Sequence, residues 1–242
     1  MNFIKRFLEK FLVKEETYPN KYGELSFSRP EKAENLKVLW YNGNEEDWLR
    51  ALNGYYYILK VEQRKIENYI EALNAAEVGE LNEREFYEFL HEKYFVWKYT
   101  AKNRLATTRK NLEKYIYNDE LHLLKDIQKR LFAAPKNEVG KCMKIASEIR
   151  GLGTAGASGL LAVLFPRDFG TVDQFVVKRL QEIDHPVYRD VLNHMNPEGL
   201  KINDGVILVQ IMKEKAEELN DRFNTDFWTP RKIDMILWSF GR

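Results

Sequence analysis

The chain of 242 residues has almost no cysteine, no excess of one charge and no long apolar run. Its single cysteine, Cys142, excludes an intramolecular disulfide and a four-cysteine zinc site or iron–sulfur cluster within this chain. The 38 basic and 37 acidic side chains leave a formal net charge of +1, so only a local basic patch would indicate nucleic acid. No apolar run approaches the roughly 20 residues that a membrane-spanning helix needs. We therefore expect a soluble, cytoplasmic protein without a membrane partner.

Signatures of metal and cofactor sites are also lacking. The GLGTAG segment at 151–156 has glycines but does not follow a strand, as a dinucleotide-binding turn does, and the chain contains no P-loop. No two of the four histidines have the His-x-x-x-His spacing by which one helix binds a metal ion; they are His91, His122, His185 and His194. We therefore expect neither a metal nor a cofactor.

Apolar residues recur with the helical period of 3.6 through nearly every long segment. Residues 36–41, LKVLWY, are the best candidate for a strand and are equally compatible with a buried helix edge. Helix starts are indicated at Asn44, at Asn82 and at the Thr229-Pro230 pair. The pattern predicts an all-α or nearly all-α fold, with helices near 2–15, 45–74, 82–97, 102–117, 120–132, 137–149, 155–164, 173–183, 186–193, 204–221 and 230–240.

The sequence divides into an N-terminal helix and connection (1–35), an N-terminal helical region (36–132) and a C-terminal helical region (133–242). Apolar residues on one face of 2–15 predict a helix that docks on the rest of the chain. A membrane-surface helix or a partner-binding helix is the alternative.

A hairpin between two helices is predicted near residue 150. A helix over 137–149 runs into Gly151, Leu152 and Gly153, and a second helix begins near Thr154. Such a connection needs glycine where φ turns positive or the backbone is crowded. We expect Leu152 to pack between the helices and the N–H groups of the second helix to bind a phosphate. An ordinary helix end followed by a turn is the alternative.

Further residues follow this hairpin at fixed distances. An alanine stands four residues after the second glycine, and a Val-Asp pair follows about twenty residues after that glycine. The stretch resembles the helix-hairpin-helix DNA glycosylase superfamily, which includes endonuclease III and the mismatch adenine glycosylase, and is nearest to the 8-oxoguanine glycosylases. The resemblance implies two helical subdomains that flank a DNA groove, and an N-glycosylase of base excision repair. The matching residues are Gly151, Leu152, Gly153, Ala157, Val172 and Asp173.

The resemblance also implies roles for individual residues. Asp173 becomes the catalytic carboxylate, and a simple N-cap of the following helix is the alternative, although the two roles are compatible. Contacts to the DNA backbone are implied for Arg150, Gly151, Leu152, Gly153 and Thr154.

Two positions depart from the family pattern. Bifunctional members carry a lysine two residues after the second glycine, which forms a Schiff base with the sugar, and this chain has Ala155 there. Arg150 replaces the usual proline before the first glycine. Lys141 and Lys144 precede the hairpin on a helix that points them elsewhere. The resemblance therefore implies a monofunctional enzyme in which Asp173 stabilises a cationic sugar and assists water.

The segment 98–110 contains several cations and no acid, and it adjoins the aromatic residues of 94–99. We expect Lys102 and Arg104 to contact the DNA backbone and Asn103 to contact the base. A solvated helix face over an aromatic core contact is the alternative.

The last helix offers a second part of a base pocket, because Asp234 and Trp238 are four residues apart and share a face. Asp234 would accept hydrogen bonds from a base edge while Trp238 stacks on the base. The alternative is a core helix in which Asp234 pairs with an arginine.

The leading hypothesis is thus a monomeric DNA N-glycosylase. A non-catalytic DNA-binding or scaffold protein with the same fold is the alternative, and a helical domain that only binds proteins is the third. Ala155 favours the non-catalytic alternative, and Asp173 opposes it. An Asp173 that opens into a basic groove beside the Gly151–Thr154 loop favours catalysis, whereas an Asp173 that a neighbouring side chain seals favours simple binding.

Overall fold

A computed structural model of the protein describes residues 35–241, which contain α-helices, one π-helical turn and no β-strand. The prediction of an all-α fold is confirmed for these residues. The helix predicted for 2–15 lies outside them. In chain order the elements are α1 (Leu36–Asn42), α2 (Glu45–Ile58), α3 (Val61–Glu71), α4 (Ala75–Glu80), α5 (Glu83–Phe89), π1 (Leu90–Tyr94), α6 (Phe95–Lys98), α7 (Lys102–Tyr117), α8 (Leu121–Ala133), α9 (Val139–Ser147), α10 (Thr154–Leu164), α11 (Gln174–Ile183), α12 (Arg189–His194), α13 (Ile202–Arg222) and α14 (Pro230–Phe240).

The helix starts that the sequence indicates are present. The side chain of Asn44 caps α2, and Asn82 forms a reciprocal capping box with Glu85 at the start of α5. Thr229 caps α14, and Pro230 occupies its first turn. Each cap satisfies backbone N–H groups that have no partner within the helix, which fixes where these helices begin.

Other boundaries differ from the prediction. Of the two alternatives left open for residues 36–41, the structure shows the helix, α1, and α4 has no counterpart in the predicted set. The long helix predicted for 45–74 is broken, because Leu59 and Lys60 adopt extended backbone conformations. The carbonyl of Leu59 accepts a hydrogen bond from Arg64 Nε at 3.1 Å, which stabilises this corner.

Helix α14 is the central element of the core, and its residues 233–237 are all buried. It packs against α2, α11 and α13, so neighbours cover it on several sides, and this explains why its apolar residues are not confined to one face. Trp48 of α2 lies between Trp40 and Trp228, with ring centroids 6.0 and 5.9 Å away. The regions before and after residue 133 therefore share core packing.

The small residues of α10 allow close packing on the segment 94–99. A Cβ atom at Gly156 would lie 2.5 Å from the Tyr99 hydroxyl oxygen, and one at Gly159 would lie 2.8 Å from that of Tyr94. The Tyr94 hydroxyl donates a hydrogen bond to the carbonyl of Gly156. Helix α10 also packs against α9, so it lies between α9 and the aromatic segment 94–99.

Within residues 35–241, no helix combines the length and the apolar character that crossing a membrane requires.

Candidate functional site

The loop between α9 and α10 has the backbone that the hairpin requires. Gly151 has a φ of 96°, and a Cβ atom on it would lie 2.9 Å from the carbonyl oxygen of Thr108. Gly153 precedes α10 with an extended backbone, and a Cβ atom there would meet nothing within 4 Å. Leu152 is buried, as expected for a residue that packs between the two helices. The first glycine is therefore needed for conformation, whereas the second leaves open space at the start of α10.

The cations that the sequence assigns to the DNA backbone fall into two groups. Lys102 and Arg104 are exposed in the first turn of α7, whose Thr108 contacts the hairpin at Gly151. Arg150 already has two partners within the protein, since its Nη1 lies 2.5 Å from Glu120 Oε2 and its guanidinium lies 4.4 Å from the centre of the Tyr115 ring. The exposed pair on α7 is therefore more accessible to a phosphate than Arg150 is.

Asp173 caps α11, as the structural alternative predicts. Its Oδ1 accepts hydrogen bonds from the backbone N–H groups of Phe175 at 3.0 Å and Val176 at 3.2 Å. The backbone just before it is held by α10, because the N–H of Val172 donates to Ser158 Oγ at 3.0 Å. The other carboxylate oxygen, Oδ2, lies 3.8 Å from Lys98 Nζ. The cap thus fixes one oxygen and directs the other toward a cation.

Asp173 also lines a cavity of about 100 Å³ between residues of the regions before and after residue 133. Its side chain retains 19% of its accessible surface, so Lys98 does not seal it. The cavity is lined by Tyr55, Leu59, Gln63, Ile66, Glu67, Val96, Trp97, Lys98, Thr100, Thr171, Asp173, Val176, Arg231, Asp234 and Trp238.

A buried ionic network forms one wall of this cavity. Arg231 donates to Asp234 Oδ1 at 2.6 Å and to Glu67 Oε1 at 2.7 Å. Glu67 Oε2 accepts from the Tyr55 hydroxyl at 2.7 Å and from Trp97 Nε1 at 2.6 Å. One arginine therefore joins α3 to α14, and the carboxylate of Glu67 fixes two aromatic side chains that face the cavity.

Asp234 is committed to this network. Its Oδ2 accepts from the backbone N–H of Thr171 at 2.7 Å, and its Oδ1 accepts from Arg231. Burial raises the pKa of Asp234 to about 6, against the lowering effects of Arg231 and of the Thr171 N–H. The pairing with an arginine that the sequence left open is present, and the role of Asp234 in binding a base stays a prediction.

Lys98, the last residue of α6, is a second cation that lines the cavity beside Arg231, and the sequence placed neither of them there. Its side chain is only 10% exposed. Burial lowers the pKa of Lys98, while Asp173 and Asp234 act to raise it and Arg231 adds to the lowering. Among the described residues, its nearest salt-bridge partner is Asp173, at 3.8 Å.

The structure brings together only some of the residues that the sequence singled out. Asp173, Asp234 and Trp238 line the same cavity, whereas Asn103 is exposed on α7 and is not among the lining residues. The sequence missed Tyr55, Glu67, Trp97, Lys98 and Arg231 as members of one site. The basic segment with interleaved aromatics was a signal for Trp97 and Lys98, but no spacing connected them to Asp173. Nothing in the sequence around Glu67 indicates a functional site.

Side chains of the described residues form no group of three or more histidine, cysteine, aspartate or glutamate residues that is placed to hold a metal ion. The carboxylates of the cavity instead pair with Arg231 and Lys98. The site thus offers carboxylates, a buried amine and aromatic faces as its chemical groups. Comparisons with family models, with curated proteins and with solved structures find no match to this chain.

Proposed function

We propose that the protein is a DNA N-glycosylase of the helix-hairpin-helix type, with Asp173 as its catalytic carboxylate. The observation that carries the proposal is the position of Asp173, which lines the cavity directly after Val172, whose backbone N–H donates to Ser158 of the hairpin helix α10. Resemblance of the hairpin residues 137–183 to the glycosylase superfamily adds the substrate class. The proposed reaction is hydrolysis of the bond between a modified or mismatched base and its deoxyribose.

The cavity has the groups that an extruded base needs. An enzyme that excises a base turns the nucleotide out of the duplex, stacks the base on aromatic faces and binds its polar edge. Trp97 and Trp238 supply the faces, and Gln63 and Thr100 supply polar side chains at the cavity wall. We assign the stacking role to the two tryptophans.

Asp173 supports the chemistry through its position at a helix start. The first N–H groups of α11 donate hydrogen bonds to its Oδ1, at the positive end of the helix dipole. An ionised Oδ2 stabilises the positive charge that develops on the sugar as the base departs, and it orients or activates the attacking water. Ala155 leaves no amine at the family position on α10, so base release itself proceeds through water.

DNA binding is assigned to the hairpin and to the start of α7. Gly153 is exposed and has open space around its Cβ position, and we assign a phosphate to the first N–H groups of α10, which follow it. Lys102 and Arg104 add positive charge on the helix that contacts the hairpin. These contacts position the protein on the backbone without reading sequence. Arg150 contributes less, because Glu120 already pairs with it.

A non-catalytic DNA-binding protein is the second candidate. It is favoured by Ala155 and by the commitment of Asp234 to Arg231. The exposure of the Asp173 side chain favours the enzyme, because a helix cap does not require its carboxylate to line a cavity, whereas a catalytic carboxylate must be accessible to the substrate.

The decisive experiment is a panel of duplex and single-stranded oligonucleotides that each carry one modified or mismatched base. Base release is followed directly by chromatography of the freed base, and strand cleavage is recorded with and without alkali. We expect release of at least one base by the wild-type protein and loss of release in Asp173→Asn. Asparagine also caps helices, so this variant removes the charge and retains the fold.

Asp190→Asn is the matched control, because Asp190 is exposed in the first turn of α12 and lies outside the cavity. Full release by this control and none by Asp173→Asn supports the proposal. Binding of DNA without release of any base from the panel favours the non-catalytic candidate, and full release by Asp173→Asn refutes the role of that residue.

A further inference from the structure

We propose that Lys98 gives the protein a second activity, cleavage of the DNA strand at an abasic site through a Schiff base between its amine and the sugar. The inference rests on the proposed function, since base excision produces the abasic sugar in the cavity. It replaces the monofunctional enzyme that Ala155 implies, because the amine comes from α6 and not from α10.

The first support is the placement of the amine. Lys98 is the only lysine among the described residues that line the cavity, and its Nζ lies 3.8 Å from Asp173 Oδ2. A sugar held against the carboxylate of Asp173 is therefore within reach of the amine. Lys141, which lies nearer the hairpin in sequence, instead pairs with Glu138 at 3.0 Å on an exposed part of α9.

The second support is that the packing of α10 accommodates this side chain. A Cβ atom at Gly159 would lie 3.2 Å from both Cδ and Cε of Lys98. The aliphatic part of Lys98 thus crosses the helix where it has no side chain. The π-helical turn Leu90–Tyr94 directly precedes α6, and turns of this kind occur frequently at functional sites.

The third support is the chemical state of the amine. Nucleophilic attack needs a neutral amine, and desolvation beside another cation is a known way to obtain one. Burial lowers the pKa of Lys98, and Arg231 lowers it further, while the carboxylates of Asp173 and Asp234 oppose both effects. The amine of Lys98 therefore becomes neutral at a lower pH than the amine of a lysine in water does.

The reaction balances without an oxidant or a reductant. In the open form of the abasic sugar C1′ is an aldehyde, to which the neutral amine of Lys98 adds. The carbonyl oxygen takes up one proton from the amine and one from solvent and leaves as water, which gives a protonated imine. The carboxylate of Asp173 takes a proton from C2′. The electron pair of that C–H bond forms the C2′–C3′ double bond, and the C3′–O bond breaks with release of the phosphate. Water then hydrolyses the imine and restores the amine.

The test uses the full chain and a duplex with one abasic site, produced by enzymatic removal of a single uracil. Sodium borohydride reduces an imine to a stable secondary amine, so a covalent protein–DNA adduct marks the Schiff base. We expect the wild-type protein to form this adduct, and peptide mapping by mass spectrometry to place the sugar on Lys98. We also expect strand cleavage without alkali.

Lys98→Arg keeps the cation beside Asp173 but removes the nucleophile, and Lys98→Met removes both. Both variants are expected to lose the adduct and the strand cleavage. Lys129→Met is the control for surface amines, because Lys129 is exposed on α8 and outside the cavity, and it is expected to retain both. Thermal unfolding of each variant shows whether a loss reflects chemistry or misfolding.

An adduct that maps to another amine of the wild-type protein overturns the proposal even if no variant folds. Absence of an adduct, together with base release on the oligonucleotide panel, overturns the lyase activity and leaves the glycosylase standing. Absence of base release on the panel, together with an adduct at Lys98 on the abasic duplex, overturns the glycosylase and retains the Lys98 chemistry.

Discussion

The backbone of Gly159 provides the space that the side chain of Lys98 occupies on its way to Asp173. A Cβ atom at this glycine would lie 3.2 Å from two methylene carbons of Lys98, which is closer than ordinary van der Waals contact. The small-residue helix that follows the hairpin thus has a specific role in this cavity. Its Ser158 binds the backbone N–H of Val172, just before Asp173, and the next residue, Gly159, leaves space for the methylene groups of Lys98.

The pH dependence of Schiff-base formation follows from the lowered pKa of Lys98. The amine attacks only when neutral, so the rate of adduct formation rises with pH and levels off above the pKa of the amine. Because burial lowers that pKa below the ordinary lysine value of 10.5, we expect the midpoint below pH 10.5. The measurement is the initial rate of borohydride trapping on the abasic duplex at a series of pH values.

Asp173→Asn sharpens this measurement. The carboxylate of Asp173 raises the pKa of Lys98, so its neutralisation is expected to move the midpoint to lower pH. A midpoint that stays in place, or that moves upward, contradicts the electrostatic coupling between the two side chains.

The two hairpin glycines are expected to differ in their tolerance of alanine. Gly151 has a positive φ, and a Cβ atom there would approach the Thr108 carbonyl oxygen to 2.9 Å, so Gly151→Ala is expected to cost about 1–3 kcal/mol of unfolding free energy. Gly153 has an ordinary φ of −96° and open space, so Gly153→Ala is expected to change it by less than about 1 kcal/mol. Urea unfolding of both variants measures the difference. An equally small loss of unfolding free energy for both variants would contradict the prediction and show that the loop relaxes around a side chain at Gly151.

Glu67 is expected to stabilise the wall of the cavity far more than its neighbour Glu62 does. Glu67 is 2% exposed and binds Arg231, Tyr55 and Trp97, so Glu67→Ala leaves buried polar groups without an acceptor. We expect a loss of about 3–5 kcal/mol in the free energy of unfolding.

Glu62→Ala is the matched control on the same helix, because Glu62 is 83% exposed and lies 3.5 Å from Lys65. An ion pair in water contributes little, so little change is expected. Chemical denaturation at one pH compares the two variants, and a loss for Glu67→Ala as small as that for Glu62→Ala would show that water replaces the missing carboxylate.

Much of the helical architecture could be predicted from the sequence. The helices at 102–117 and 230–240 have the predicted bounds, since apolar periodicity and caps such as Thr229 act locally. The break at Leu59 was missed because it contains neither glycine nor proline, and the corner depends on a contact from Arg64. The apolar periodicity and the capping residues of a sequence do not indicate side-chain contacts of this kind.

The site was predictable only in part, and the reason is again distance along the chain. Asp173 was found because its spacing from the hairpin is a sequence signal. Lys98 and Glu67 reach the same cavity through the packing of α6 on α10 and through Arg231. These contacts join residues far apart in sequence, and no periodicity or motif records them.

The salt dependence of DNA binding tests the assignment of the backbone contacts. Each phosphate contact that a cation makes contributes about one counterion to the slope of log affinity against log salt concentration. Lys102 and Arg104 are exposed, so alanine at either is expected to weaken binding uniformly across DNA sequences and to reduce the slope by about 1.

Arg150→Ala is expected to change the slope less, because Glu120 and the Tyr115 ring already hold that guanidinium. Fluorescence anisotropy with a labelled duplex at several salt concentrations gives the slopes, and Lys129→Ala on α8 is the control. If Arg150→Ala reduces the slope by about 1 while Arg104→Ala and Lys102→Ala leave it unchanged, DNA displaces the pair with Glu120, and the phosphate contacts lie on the hairpin rather than on α7.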